Sequence, residues 1–210
     1  MTTGAKAARI MSVRELFPTL LYQEPLGKDG LIAELERSVR MLAVEDMAGR
    51  RWAKAHGYRG YTSYASLDDL PVRDPAFADL KRLLDRHVAR FAEAAAFDLG
   101  GRKLKLDSLW VNLLKPGGHH SAHLHPHSVV SGTAYIVLPP GAGGLKLEDP
   151  RLAMMMAAPT RLAEAGDARA TFVTVQPAVG DVLLWESWLR HEVVPNGAKG
   201  DRISVSFNYA

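Results

Sequence analysis

The chain contains no cysteine among its 210 residues. Its fold therefore owes nothing to disulfides, and thiolate metal sites and cysteine nucleophiles are excluded. No apolar run approaches the roughly 18–20 residues needed to cross a bilayer. The N-terminus also lacks an apolar signal core ahead of a small-residue cleavage site. No basic stretch is interleaved with aromatic residues, which disfavours nucleic acid as a partner. These absences lead us to expect a cytoplasmic protein with neither a membrane nor a nucleic-acid partner. Any transition metal it holds must sit on imidazole and carboxylate, a donor set that suits Fe, Mn, Zn or Ni.

The net charge of +3 comes largely from the first ten residues, which carry Lys6 and Arg9 and no acid; the remainder has 24 basic against 23 acidic residues. MTTGAKAARI shows no apolar period and reads as a disordered tail, or as an extension upstream of a natural start at Met11. The intact mass of protein from the native host separates the two, because retention of Met1 or Thr2 rules out the second. Residues 11–210 are expected to form a single domain, since 47% hydrophobic and 23% charged residues at this length suit one sizeable core.

The N-terminal half reads as mostly helical. VRELFPTLLY, Val13 to Tyr22, fits a strand bent or placed at an edge by Pro18. Leu31, Leu35, Val39 and Leu42 fall at helical spacing between Gly30 and Met47. Arg50 to Leu70 is polar, aromatic and turn-rich, and reads as a loop. A second helix is predicted from Pro75 to about Phe97, with Asp74 as N-cap, Pro75 at the first position and Gly100-Gly101 as a stop. After Gly101 the pattern changes to short strands: 103–114, 132–138, 144–147, 171–175, 181–185, 190–194 and 202–208. Two helices followed by seven strands predict a mainly β fold, an antiparallel sandwich or jelly roll with the helices packed on one sheet.

Five of the eight histidines, His119, His120, His123, His125 and His127, lie within nine residues. Even scattering would place only about a third of one histidine there. Residues two apart on an extended chain share a face, so His123 and His125 can reach one metal. His191 is the candidate third ligand from a distant strand. The competing reading is a solvated loop that binds nothing. His119, His120 and His127 read as loop residues or as supports for the ligands, and His56 and His87 as surface residues. The triplet Met154-Met155-Met156 reads as core filler or a hydrophobic loop. With Arg50–Leu70 it is the expected substrate-facing element, because loops on a rigid scaffold usually carry specificity.

The last strand has two unlike faces. Ile203, Val205 and Phe207 are apolar; Arg202, Ser204, Ser206 and Asn208 are polar. If the apolar face packs under the helices, Arg202 lines the interior, where a guanidinium needs an anion such as a carboxylate. If the strand is an edge, the polar face is merely solvated. Asn112, mid-strand in SLWVNLLKPG, is either a ligand contact in a cavity or a structural plug.

Taken together, the order strand, His-x-His, strand, Gly-Asp turn, His and Arg-x-Ser resembles the 2-oxoglutarate- and Fe(II)-dependent oxygenase superfamily. More narrowly, HLHPHSVVSGTAYIVLPP, LEDPR and RHEVVPN…RISVSFN resemble a bacterial family of oxygenases within it, from about Ser108 to Asn208. The resemblance implies a double-stranded β-helix, a kind of jelly roll, and an oxygenase that oxidises a C–H bond while turning 2-oxoglutarate into succinate and CO₂. It gives His123 and His191 the places of the two histidine ligands. Arg202 takes the place of the residue that binds the distal carboxylate of 2-oxoglutarate, with Ser204 beside it, and Asn112 and Tyr135 lie where polar residues touch the cosubstrate. One departure is His125, which stands where the superfamily has a carboxylate. Three neutral ligands leave Fe(II) with a charge of +2 rather than +1, unless Glu148 or Asp149 supplies the acid. The expected substrate is a small molecule or peptide, and homo-oligomerisation is open. Two rival readings are a three-histidine oxygenase that does not use 2-oxoglutarate and a non-catalytic jelly roll that binds a ligand.

Overall fold

The structure is a computed structural model that describes residues 13–28 and 30–210; the expected tail, residues 1–10, lies outside these. The elements run β1 (Tyr22–Pro25), α1 (Leu31–Glu45), α2 (Met47–Ala55), β2 (Gly60–Thr62), α3 (Leu70–Arg73) and α4 (Pro75–Ala94). Then come β3 (Leu106–Leu114), β4 (His120–His123), β5 (Val130–Val137), β6 (Leu145–Glu148), β7 (Phe172–Val175), β8 (Asp181–Glu186), β9 (His191–Val193) and β10 (Arg202–Tyr209). Every strand pairing is antiparallel. A six-stranded sheet has the order β1-β8-β5-β10-β3-β2 and a four-stranded sheet the order β4-β9-β6-β7. Two such sheets make the expected jelly roll.

Asp74 caps α4 as its sequence predicts: its side chain accepts from the Ala76 amide at 2.8 Å, with Pro75 at the first position. The apolar face, Phe77, Leu80, Leu84, Val88 and Phe91, is buried together with Leu31, Leu35 and Val39 of α1. Both helices lie on the six-stranded sheet, and the core between them includes Val111, Ala134, Val182, Val205 and Phe207. The helix ends at Ala94, short of Gly100-Gly101, because Ala96 turns into the left-handed region at φ 54° and closes the last turn.

Four expectations need correction. The strand predicted from Val13 shrinks to Tyr22–Pro25, since Phe17 bends at φ 57° and residues 13–21 stay exposed without strand partners. The predicted loop 50–70 contains part of α2 and all of β2. Helix α2 buries only Gly49 and Ala53, so no large apolar residues mark its period. Met154 and Met156 are exposed, at 73% and 95%, so the methionine triplet is not core filler. His87 is buried on α4, its Nδ1 2.8 Å from the Tyr22 hydroxyl, and burial lowers its pKa. It is a strand-to-helix tie rather than a surface residue.

The central strand, β10, decides the interior. It pairs with β3 on one side and β5 on the other, so its polar face cannot be a solvated edge. Ile203, Val205 and Phe207 enter the helix-side core, while Arg202, Ser204 and Asn208 are buried on the opposite face. On the neighbouring strand a Cβ at Gly132 would sit 2.5 Å from the Phe207 ring and 2.6 Å from Leu184. Gly132→Ala therefore overpacks this core. We expect a loss of about 1–3 kcal/mol in denaturant unfolding; unchanged stability would contradict the packing.

Candidate metal centre and anion pocket

His123 ends β4 and His191 opens β9, and the two are paired directly across these strands. His125 lies two residues beyond His123, its backbone amide donating to the Ser187 carbonyl at 3.1 Å. One ligand nitrogen from each of the three lies within 4.8 Å of the others. The Nε2 atoms of His125 and His191 are 3.3 Å apart, close to the roughly 3 Å spacing of adjacent ligands held about 2.1 Å from one ion.

The outer nitrogens are engaged by protein. His191 Nδ1 is 2.8 Å from the Leu189 carbonyl and His123 Nδ1 is 2.6 Å from the Ser121 carbonyl, so each donates there and keeps its Nε2 lone pair for the centre. His125 Nδ1 faces the Asn208 side-chain amide at 3.3 Å. Ligation through Nε2 protonates Nδ1 and requires the amide oxygen of Asn208 to turn toward it. The Ser131 and Ser108 hydroxyls that hold this amide can each donate or accept, so both orientations are satisfied.

Burial pushes the pKa of His125 down to about 4 and that of His191 to about 3, with the charge of His123 adding to both. Both imidazoles are neutral at pH 7 and keep a lone pair free for a metal. Glu148 and Asp149 are committed elsewhere: Arg190 pairs with Glu148 at 3.3 Å and Arg151 with Asp149 at 2.8 Å. Asp149 also accepts from the Arg151 amide, so Asp149-Pro150-Arg151 is a structural turn. Neither acid joins the three-histidine cluster.

Further along the same interior face lies Arg202, with 0% of its surface exposed. Its Nε donates to the Gly143 carbonyl and Nη1 to the Ser204 hydroxyl, both at 3.0 Å, while Nη2 has no partner. The Tyr135 ring lies 5.3 Å away, and its buried hydroxyl stands beside the guanidinium without a well-formed hydrogen bond. Burial pushes that hydroxyl up to about 12 against the opposing charge of Arg202, and it lowers the Arg202 pKa. The buried Trp185 indole N–H, on a ring 4.7 Å from that of His191, is also unpartnered. A buried cation next to spare donors is a cradle for an anion.

Asn112 turns out to be tied in place. Its carbonyl accepts from Thr62 at 3.0 Å and Tyr58 at 3.3 Å, and its amide donates to Ser206 at 3.1 Å. The Tyr58 hydroxyl also lies 2.8 Å from His120 Nε2. Burial, then the charge of Arg202, takes His120 down to about 3. His120 thus belongs to the pocket wall, whereas His119 and His127 are exposed. Tyr58, Thr62 and Trp185 are missing from the residues singled out in the sequence. No local pattern marks the first two, because β2 is only three residues long and joins the site by pairing with β3.

Residues 108–208 match the family model described as "Putative 2OG-Fe(II) oxygenase". These 101 residues, just under half of the chain, are similar to that family of 2-oxoglutarate- and Fe(II)-dependent oxygenases. A sequence search of the curated proteins finds no match. Among solved structures, the fold is similar to a Pseudomonas putida prolyl-4-hydroxylase, with a TM-score of 0.58 and 18% identity over 91% of this chain and 92% of that one. It is similar to AviO1 from Streptomyces viridochromogenes Tue57, with a TM-score of 0.60 and 18% identity over 92% and 90%. HygX from Streptomyces hygroscopicus, solved with nickel and 2-oxoglutarate, gives a TM-score of 0.57 and 18% identity over 92% and 82%.

The buried histidines also set an acid limit. His120, His125 and His191 stay neutral in the folded chain far below pH 6.5, whereas in the unfolded chain they protonate near that value. Unfolding therefore takes up protons, so stability is full above pH 6.5 and falls as the pH drops toward about 4. The urea midpoint of metal-free protein should decline across that window; a flat midpoint would contradict the burial.

Proposed function

We propose that His123, His125 and His191 hold Fe(II) on one face and that Arg202 and Tyr135 grip the distal carboxylate of 2-oxoglutarate. The observation that carries this reading is the sealed Arg202 guanidinium, which has an unpaired Nη2 and the unpaired Tyr135 hydroxyl beside it. Such a charge is costly unless an anion meets it, and a planar carboxylate fits the guanidinium fork. Ser204 fixes the guanidinium by accepting from Nη1. Asn112, held by Tyr58, Thr62 and Ser206, keeps the wall between metal and anchor in shape. Bound there, Fe(II) would activate O₂ as the oxidant, with 2-oxoglutarate giving two electrons as it becomes succinate and CO₂ and the C–H bond giving the other two. The protein's part is to orient the cosubstrate and exclude water, which Leu145, Leu147, Leu183, Trp185 and Leu189 do from the apolar side.

We take residues 11–210 as one catalytic domain and His125, in an acid's place, as the third ligand. The ion pairs of Glu148 and Asp149 support that choice. The primary substrate is a small molecule or a peptide, and no helix of the described residues is long and apolar enough to cross a membrane. Leu124 and Trp188, 44% and 48% exposed on the segments that carry His125 and His191, are the side chains we assign to substrate contact. A reducing cytoplasm, which keeps iron ferrous, is the compartment we infer.

The test is succinate release with Fe(II) and 2-oxoglutarate. We expect His191→Ala to abolish both metal uptake and succinate. Arg202→Leu should raise the KM for 2-oxoglutarate by at least about tenfold, the usual scale for a lost charge-assisted pair. The same variant should be at least as stable as the parent when no anion is present, because it removes an uncompensated charge. Unchanged KM, or a large loss of anion-free stability, would overturn the role of Arg202.

A further inference from the structure

Away from the iron site, α1, α2 and the ends of β2 and β3 enclose an open cleft of about 830 Å³. Helix α1 turns Arg40, Ala43 and Val44 into it, and α2 turns Met47, Arg50, Arg51 and Lys54. The spacings i, i+3, i+4 and i+7 put each set on one helical face. Arg59 and Lys115 complete the rim, and Tyr58, Tyr61 and Leu113 lie against the strand ends.

The charge balance of the cleft is one-sided. It holds six of the chain's 26 lysines and arginines and one of its 23 acids, Asp201, leaving 20 basic against 22 acidic residues elsewhere. With Lys6 and Arg9 of the first ten residues set aside, the rest of the chain outside the cleft has 18 basic against 22 acidic residues, so positive charge within residues 11–210 is concentrated here. Arg40 is compensated by Glu36 at 2.8 Å and Asp201 at 3.5 Å. Arg50 donates only to the Val44 carbonyl and the Met47 sulfur. Among the described residues, Arg51, Lys54, Arg59 and Lys115 make no ion pair. Like charges gathered around one concavity focus the field and raise the local concentration of anions.

The floor limits which anion fits. Val44 and Met47 are 67% and 54% exposed and stand beside the tyrosines. An inorganic anion would leave that apolar surface wet, whereas a ligand with an aromatic body and a charged tail would cover both. The volume suits a ligand of that size. We propose that the cleft binds a nucleoside polyphosphate, its phosphates on Arg51, Lys54, Arg59 and Lys115 and its base on the exposed Val44 and Met47 side chains. Arg202 does not line this cleft, and the one wall shared with the interior pocket is Tyr58, whose hydroxyl bonds Asn112 and lies beside His120.

The experiment is calorimetric titration of the full chain with ADP and, separately, with inorganic pyrophosphate. We expect saturable binding of one ADP per chain, weaker binding of pyrophosphate, and loss of affinity as salt rises. The double variant Arg51→Ala/Lys54→Ala should weaken ADP by about tenfold or more while its succinate turnover stays at the parent level, and Arg202→Leu should leave ADP binding unchanged. Absence of saturable heat, or equal affinity in the double variant, would overturn the site. Loss of ADP binding in Arg202→Leu would reassign the phosphates to the interior pocket and also overturn it. Pyrophosphate binding as tightly as ADP would overturn the nucleotide assignment.

Discussion

A guanidinium sealed between two sheets loses its water, and without a carboxylate in reach it must be compensated by something that enters from outside. Arg202 is in that position, and much of the surrounding architecture follows from holding it there. It opens the central strand of the larger sheet, paired on both sides, so it cannot swing out to solvent. Gly143 and Ser204 take two of its donor groups, and the third, Nη2, has no hydrogen-bond partner in the protein. The effective penalty for such a charge is several kcal/mol. A protein that carries it gains only if an anion binds, and that links the stability of the fold to occupancy of the pocket.

The metal cluster is built by the other sheet. The pairing of β4 with β9 sets His123 against His191, and carbonyls of Ser121 and Leu189 orient both rings before any ion arrives. His125 depends instead on the larger sheet, through Asn208 of β10. The same strand thus carries the buried Arg202 guanidinium at its start and the support for the third imidazole near its end. On the proposed ligation, three neutral imidazoles would leave more positive charge on the metal than a site with one carboxylate would. An anionic cosubstrate is attracted more strongly to such a centre, and the opposing charge of Arg202 lies further along the same face.

Much of this was legible in the sequence because strand periodicity is short and strict. Alternation in RISVSFN separated the helix-side core from the polar interior, and the two-residue step from His123 to His125 put both on one centre. The Asp74-Pro75 start of α4 was equally plain. What stayed hidden depends on tertiary pairing. Helix α2 buries only glycine and alanine and so has no apolar stripe, and β2 is three residues that acquire meaning beside β3. Thr62 enters the site through that pairing, and Tyr58 from the turn between α2 and β2. His87 gives no local sign of burial, because its partner, Tyr22, is 65 residues away in the chain. The choice between His125 and a carboxylate could not be made from spacing; the ion pairs of Glu148 and Asp149 favour the histidine.

The most direct test of the three-histidine, 2-oxoglutarate-binding centre is anaerobic visible spectroscopy of the Fe(II)-loaded full chain during titration with 2-oxoglutarate. Chelation of a 2-oxo acid to ferrous iron produces a metal-to-ketone charge-transfer absorption. The arrangement described above predicts that this band appears at one equivalent of iron per chain and is lost in His125→Ala. A band that never develops, or that persists unchanged without His125, would contradict it.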